Sequence, residues 1–346
     1  MFLCHTPATP CLTMKNFPVT SSVLSAKDLG VFAIEKYRLG KDATCTLFRT
    51  GINHTYFITD GSTKYALRVY SYNWRTLPEI TEEVKLLNLL REHGVSISYP
   101  IADTGGNYIQ SINAPEGKRY AVLCSFAEGD KIRTTNTDTC YTIGSLMASM
   151  HTVTANQKTG RIDYNSESML ELPYKYATEY FDEELPEMKF IKEQAQDISD
   201  YFNQVAPDIP GGIVHLDIWY DNMAVTANNE VTLFDFDFCG NGWLVFDVAY
   251  FCKQLFHIEA DKELYEIKMQ SFLKGYNATR RLTADELQLI PKAAAAIWIF
   301  YLGVQCQRFD WSNIFLTENY LKLVHVAKIK AWLEYYKTNK VIAGPL

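Results

Sequence analysis

His215, Asp217 and Asn222 form the pattern H-x-D-x-x-x-x-N, and Asp235 opens a D-F-D triplet thirteen residues further on. Together these side chains supply what phosphoryl transfer from a nucleotide requires. One carboxylate, Asp217, orients a hydroxyl nucleophile. An amide oxygen, Asn222, and a second carboxylate, Asp235, hold magnesium against the phosphates. Loop acids also cap turns. Here three distinct roles are filled at once, which favours the chemical reading.

The flanking residues must bring these groups together. Ile213-Val214 reads as a short strand leading into the first loop. Met223-Ala224-Val225 is a second apolar run, Ala227–Glu230 has turn composition, and Val231–Phe236 is a β-branched and aromatic strand. A hairpin of this kind folds Asn222 back beside Asp235.

The segment resembles the aminoglycoside phosphotransferase and choline kinase group, which shares the protein-kinase-like fold. The group's H-G-D-x-x-x-x-N matches His215 through Asn222, with Leu216 in place of the glycine. Its metal-binding I-D-F/W-[DE] matches Phe234-Asp235-Phe236-Asp237, and Asp247-Val248-Ala249 matches its D-[LV]-A. Asp221-Asn222 and Asp235-Phe236-Asp237-Phe238 are also similar to the homoserine kinase branch. The resemblance runs from about Ser25 onward. It implies ATP and magnesium as cofactors, with Asp237 as a further metal ligand or a loop anchor. His215 then orients the loop, and Asp247 caps a helix. Ala66-Leu67-Arg68 matches the A-x-K of kinases with arginine replacing lysine, so Arg68 pairs phosphate oxygens. Glu83, from Glu83-Val84, holds Arg68 in position. Asn53, between two strands, touches phosphates. Adenine stacks on Ala66 and bonds the backbone at Ser125 and Phe126.

What the resemblance implies is transfer of the γ-phosphate to a hydroxyl of a small molecule: homoserine or another amino alcohol, or an aminoglycoside. A protein serine or threonine, an inactive nucleotide-binding module and a metal-dependent hydrolase are the alternatives. Trp298, Tyr301, Arg308, Asp310 and Trp311 are candidates to wall the acceptor pocket.

Composition narrows the class. The chain has 346 residues, 47% hydrophobic and 21% charged, with net charge −7. An acidic balance argues against a nucleic-acid or anionic-membrane partner. Eight cysteines form no C-x-x-C and read as reduced thiols of a cytoplasmic protein. The most apolar run, Ala293–Val304, is too short to span a bilayer. The first fourteen residues lack a basic start and read as a disordered extension, with Met14 as a possible start.

The organisation is α+β and bilobal. Residues 1–24 are an extension. Residues 25–126 form a nucleotide lobe: a helix at Ser25–Tyr37, strands at Thr44–Arg49, His54–Thr59 and Lys64–Tyr70, a helix opened by the Thr76–Glu79 capping box, and strands at Asn107–Ile112 and Arg119–Phe126. Residues 127–346 form a larger, mainly helical catalytic and substrate lobe, with the ligand cleft between the two.

Overall fold

Alternating apolar and polar residues in the first third of the chain build a five-stranded antiparallel sheet. In the computed structural model, which describes residues 17–205, 208–308 and 312–339, the strands are β1 (Thr44–Arg49), β2 (His54–Asp60), β3 (Thr63–Val69), β4 (Ile109–Ala114) and β5 (Gly117–Ser125), in the order β1-β2-β3-β5-β4. Tyr56, Ile58, Leu67, Val69, Ala121 and Leu123 point to one face and pack on Leu29 and Ala33 of helix α1 (Ala26–Tyr37). Ala66 and Arg68 point to the other face, where Ala66 pairs with Cys124 and Arg68 with Val122. Helix α2 (Leu77–Glu92) lies on that side. Thr76 and Glu79 form the reciprocal capping box, and Ile80, Val84, Leu87 and Leu90 are buried.

After Ser125 the chain crosses to the larger lobe. Gly129 (φ +107°) passes so close to Val225 that a Cβ would lie 2.5 Å from its carbonyl carbon. Asp130 and Val225 exchange backbone hydrogen bonds of 3.0 and 2.9 Å, tying the crossing to the hairpin that follows Asn222.

The larger lobe contains α3 (Thr137–Thr154), α4 (Leu172–Ala177), α5 (Pro186–Val205), α6 (Val245–Ile258), α7 (Lys262–Asn277), α8 (Ala284–Gln307) and a final helix Ala327–Asn339. Strand β6 (Gly211–Val214) pairs with β9 (Gly240–Trp243), and β7 (Met223–Val225) pairs with β8 (Val231–Leu233). Strand β8 is shorter than the sequence predicts. It stops at Leu233 because the Phe234 N–H turns to the Asn222 carbonyl at 3.0 Å and Asp235 adopts a left-handed backbone, φ +67°.

Helix α8 corrects the expectation that the apolar run is short. It has 24 residues and is long and apolar enough to cross a membrane, but 72% of its apolar window is buried inside the fold. It is the central helix of the large core. The six described cysteines are unpaired, four of them buried. Most of the N-terminal extension, Cys4, Cys11 and Met14 included, and Asp310 and Trp311 lie outside the described residues.

Helices α3 and α7 approach through glycine. A Cβ on Gly144 would sit 2.0 Å from the Phe272 carbonyl oxygen, and one on Gly275 2.0 Å from that of Tyr141. Backbone cannot yield as a flexible side chain does. Gly144→Ala should therefore lower stability by about 1–3 kcal/mol, seen as a reduced urea midpoint at unchanged slope.

Candidate active site

The strand–loop–hairpin arrangement places the motif residues around one cleft. β6 delivers His215, Leu216 and Asp217. His215 Nδ1 accepts the Asp217 N–H at 3.2 Å, so its Nε2 donates to the Phe234 carbonyl at 3.1 Å. The ring is thus a neutral bridge between the two motifs, and burial lowers its pKa further. This agrees with a positioning role.

Leu216 occupies the family's glycine position and has φ +60°. Left-handed backbone costs a branched residue roughly 1–2 kcal/mol. Two things compensate. The side chain is fully buried. Its N–H donates to Asp247 Oδ1 at 2.6 Å, while the His215 N–H donates to Asp247 Oδ2 at 2.9 Å. His151 Nε2 meets the same Oδ2 at 3.0 Å, and its Nδ1 meets the Tyr276 hydroxyl at 2.7 Å. Asp247 therefore does not cap its own helix, as the sequence suggests. α6 begins one turn earlier with Leu244 at its N-cap, and the carboxylate anchors the catalytic loop instead.

Asn222 Nδ2 donates to the Asp217 carboxylate at 2.6 Å and to its carbonyl at 3.0 Å. Both contacts turn the Asn222 amide oxygen away from Asp217. Tyr250, three residues after Asp247 on α6, donates to the other Asp217 oxygen. Burial, reinforced by the nearby Asp235 charge, pushes the Asp217 carboxyl up to about 7, against the Tyr250 hydrogen bond.

Arg68 reaches across the cleft. It pairs with Glu83 at 2.7 Å and with Asp235 at 2.6 Å. Glu83 is 2% exposed and also accepts from the Tyr70 hydroxyl at 3.0 Å and Arg161 at 3.4 Å. Of Glu79, Glu82 and Glu83 on this helix, Glu83 is the one that meets Arg68; Glu79 caps the helix and Glu82 bonds Lys85 and Gly160.

The cleft is a cavity of about 420 Å³. Ala66, Val122, Cys124, Ser125 and Phe126 line its upper side, Ala224 and Phe234 its floor, and Arg68, Glu83, Asn222 and Asp235 its inner end. Apolar walls of this spacing suit a purine, with the charged end left for phosphates.

Three sequence-based assignments change. Asp237 is 2% exposed and faces away from the cavity. Its oxygens accept from Trp74 Nε1 at 2.7 Å, Asn53 Nδ2 at 3.0 Å and Arg75 at 3.3 Å. Burial opposes its charge, but Arg75, Arg68 and Arg161 outweigh it and hold the carboxyl well below the usual range. It is a loop anchor, not a cation ligand in this geometry. Asn53 is likewise spent on Asp237 and on the Ser71 N–H at 3.2 Å, so it does not face phosphates. Ser125 lines the cavity, but its N–H bonds Tyr99 O at 2.9 Å and its carbonyl accepts Ser98 Oγ at 2.5 Å. Phe126 and Ala127 of the crossing backbone also line the cavity.

The residues fit a hard divalent cation. Asn222 and Asp235 both border the cavity, and Arg68 takes one Asp235 oxygen, Oδ1. Two protein oxygens, with water and phosphate completing the shell, match magnesium. Among the described residues no group of three His, Cys, Asp or Glu gathers for a metal, so a site built from protein acids alone is not available there.

Sequence reasoning missed the rim. Arg49 and Lys131 both pair with Asp221, Lys131 at 2.8 Å. Nothing in their spacing marks them. Tyr250 was readable, since it follows Asp247 by nearly one helical turn.

A small antiparallel sheet lobe and a larger helical lobe, with Arg68, Glu83, Asn222 and Asp235 at the inner end of the cleft, define a phosphotransferase of protein-kinase-like architecture. Comparison with known proteins makes this specific. The model of the phosphotransferase enzyme family (APH) matches residues 44–282, and the chain belongs to that family. An uncharacterized protein of Synechocystis is 28% identical over 309 residues, 86% of this chain and 83% of that one. A homoserine kinase of Bradyrhizobium diazoefficiens is 25% identical over 293 residues, 84% and 86% of the two chains. The solved amicoumacin kinase, complexed with AMP-PNP and Ca2+, is similar in fold: TM-score 0.72, 21% identity, covering 89% of this chain and 93% of that one.

Two outcomes follow from the loop geometry. Asp247→Ala strands two buried N–H groups and His151, and should cost about 3–5 kcal/mol by chemical denaturation. Asp217 has a folded pKa above its ordinary value of 3.8. Its ionised form therefore opposes folding, by an amount that grows from about pH 4 to pH 7 and then levels. Asp217→Asn should raise the melting temperature of the nucleotide-free protein, more at about pH 8 than at about pH 5. Equal midpoints at both pH values would overturn this.

Proposed function

We propose that this chain transfers the γ-phosphate of ATP to a hydroxyl of a small molecule. The observation that carries this reading is that Asn222 and Asp235 border the charged end of an apolar slot, while Asn222 bonds the Asp217 carboxylate at 2.6 Å.

Asp217 receives the acceptor hydroxyl. A group whose carboxyl titrates near 7 can take the proton late, as the acceptor oxygen bonds to phosphorus and the bond to the leaving diphosphate breaks. Asn222 and Asp235 hold magnesium, which when bound neutralises phosphate charge. Arg68, preset by Glu83, pairs phosphate oxygens. Ala66 and the Phe126–Ala127 backbone receive adenine. The acceptor classes in view are amino alcohols such as homoserine, after the homoserine kinase relative, and an aminoglycoside or a compound like the amicoumacin of the amicoumacin kinase neighbour. Unpaired thiols and the need for ATP support a cytoplasmic setting.

Nucleotide titration tests the reading. ATP should bind more tightly with magnesium, and Asp235→Asn should remove most of that difference. Asp217→Asn should keep nucleotide affinity and lose acceptor-dependent ADP release by about 10³-fold or more, the scale of a positioning and proton-accepting group. Metal-independent binding, or full turnover by the Asp217 variant, would refute it.

A further inference from the structure

Beyond Asp217, the large lobe buries a cation that nucleotide chemistry leaves unused. Lys253 lies on α6, three residues after Tyr250, and is 2% exposed. Its Nζ lies 4.0 Å from the centroid of the Tyr250 ring, 5.2 Å from that of Trp298 and 5.9 Å from that of Tyr301. The Tyr250 hydroxyl donates to Asp217, and the Tyr301 hydroxyl donates to the Leu216 carbonyl at 3.1 Å. The lysine thus sits one aromatic ring behind the hydroxyl-orienting carboxylate.

Among the described residues, no carboxylate forms an ion pair with Lys253. The second buried lysine of this lobe shows the contrast: Lys268 is bonded to Glu259. Three aromatic faces return part of the cost of burying an ammonium, but they supply no hydrogen-bond acceptor for it. The surroundings add positive charge. Lys328 acts on Lys253, and Lys328, Lys253 and Arg133 all act on His257, one turn further along α6. His325, bonded to Gln305 at 2.9 Å, feels Lys328 and Lys253 as well.

A polycationic sugar or a bare amino alcohol would bring like charge toward Lys253, which disfavours it. An anionic group would find a preset partner. We propose that Lys253 binds a carboxylate of the acceptor, so that the substrate is a short hydroxy acid, hydroxy amino acids included. This rests on Asp217 being the group that receives the acceptor hydroxyl. Burial lowers the Lys253 ammonium to about 7, with Lys328 adding to the shift and Asp217 opposing it; an arriving carboxylate acts in the same sense as Asp217 and restores its charge. Lys253 is then a specificity residue, acting on the acceptor's far end while Asp217 acts on its hydroxyl.

The test uses the full chain with ATP and magnesium, and measures KM and kcat for acceptor-dependent ADP release. The probes are homoserine and γ-hydroxybutyrate, with butanediol and aminobutanol as uncharged and cationic partners of similar length, and spectinomycin as a polycation. The hydroxy acids should be turned over with the lowest KM. Lys253→Met should raise their KM by about 30-fold or more and leave the butanediol KM within about twofold, while Lys253→Arg should recover part of the loss. The acceptor comparison on the unaltered protein stands even if the methionine variant misfolds. Turnover of aminobutanol or spectinomycin with refusal of the hydroxy acids would overturn the inference and leave the phosphotransferase reading intact. An equal fall in kcat on charged and uncharged acceptors would make Lys253 a support for Asp217 and overturn it too. Absence of ADP release with every acceptor would sink both.

Discussion

The Asp247 carboxylate is the fixed point of the active site. It is fully buried and collects the N–H groups of His215 and Leu216 together with His151. Three donors satisfy the charge that burial would otherwise penalise. In return they hold Leu216 in a left-handed conformation that only a strongly constrained loop would keep. Asp217 follows directly and inherits its direction from this turn. Replacing Leu216 with the family's glycine would relax the backbone by roughly 1–2 kcal/mol, yet would remove a buried side chain worth about 2–5 kcal/mol. Packing wins, which explains why leucine is tolerated where glycine is usual.

Around that point the charges are divided unequally. Asp235 and Glu83 share Arg68, and Arg161 adds to Glu83. Asp237 is wrapped by Asn53, Trp74 and Arg75. Asp217 has the Asn222 amide, the phenols of Tyr250 and Tyr301 and the nearby charge of Lys253, and no direct ion pair among the described residues. Cations thus outweigh burial at Asp237 while burial wins at Asp217, so environment drives the two carboxylates in opposite directions.

Much of this was legible in the sequence. The capping box at Thr76, the hairpin at Asp60-Gly61 and the strand alternation of Lys64–Tyr70 rest on local rules, and the structure follows them within a residue or two. The Arg68–Glu83 pair followed from the resemblance, through Ala66-Leu67-Arg68 and Glu83-Val84, and the Asn222–Asp235 juxtaposition from the turn composition between two short strands. Asp237, Asn53 and the Ser125 backbone were misplaced for one reason. Each is decided by partners far along the chain, 163 residues away for Trp74 and Asp237, and no local pattern encodes them. Arg49, Lys131 and Lys253 escaped notice because a single cation carries no spacing signal.

Asp221 shows what the rim implies for traffic into the cleft. Its two oxygens are shared between Arg49, on the sheet lobe, and Lys131, on the crossing segment, and both cations border the nucleotide cavity. A polyphosphate entering there competes with Asp221 for cations that are already neutralised. Binding then exchanges one ion pair for another and creates little new one, so the gain in charge attraction is small and ionic strength weakens both sides of the exchange. The same exchange would free the catalytic loop from the sheet lobe at the moment the ligand arrives, converting a lobe-to-lobe strut into a ligand grip.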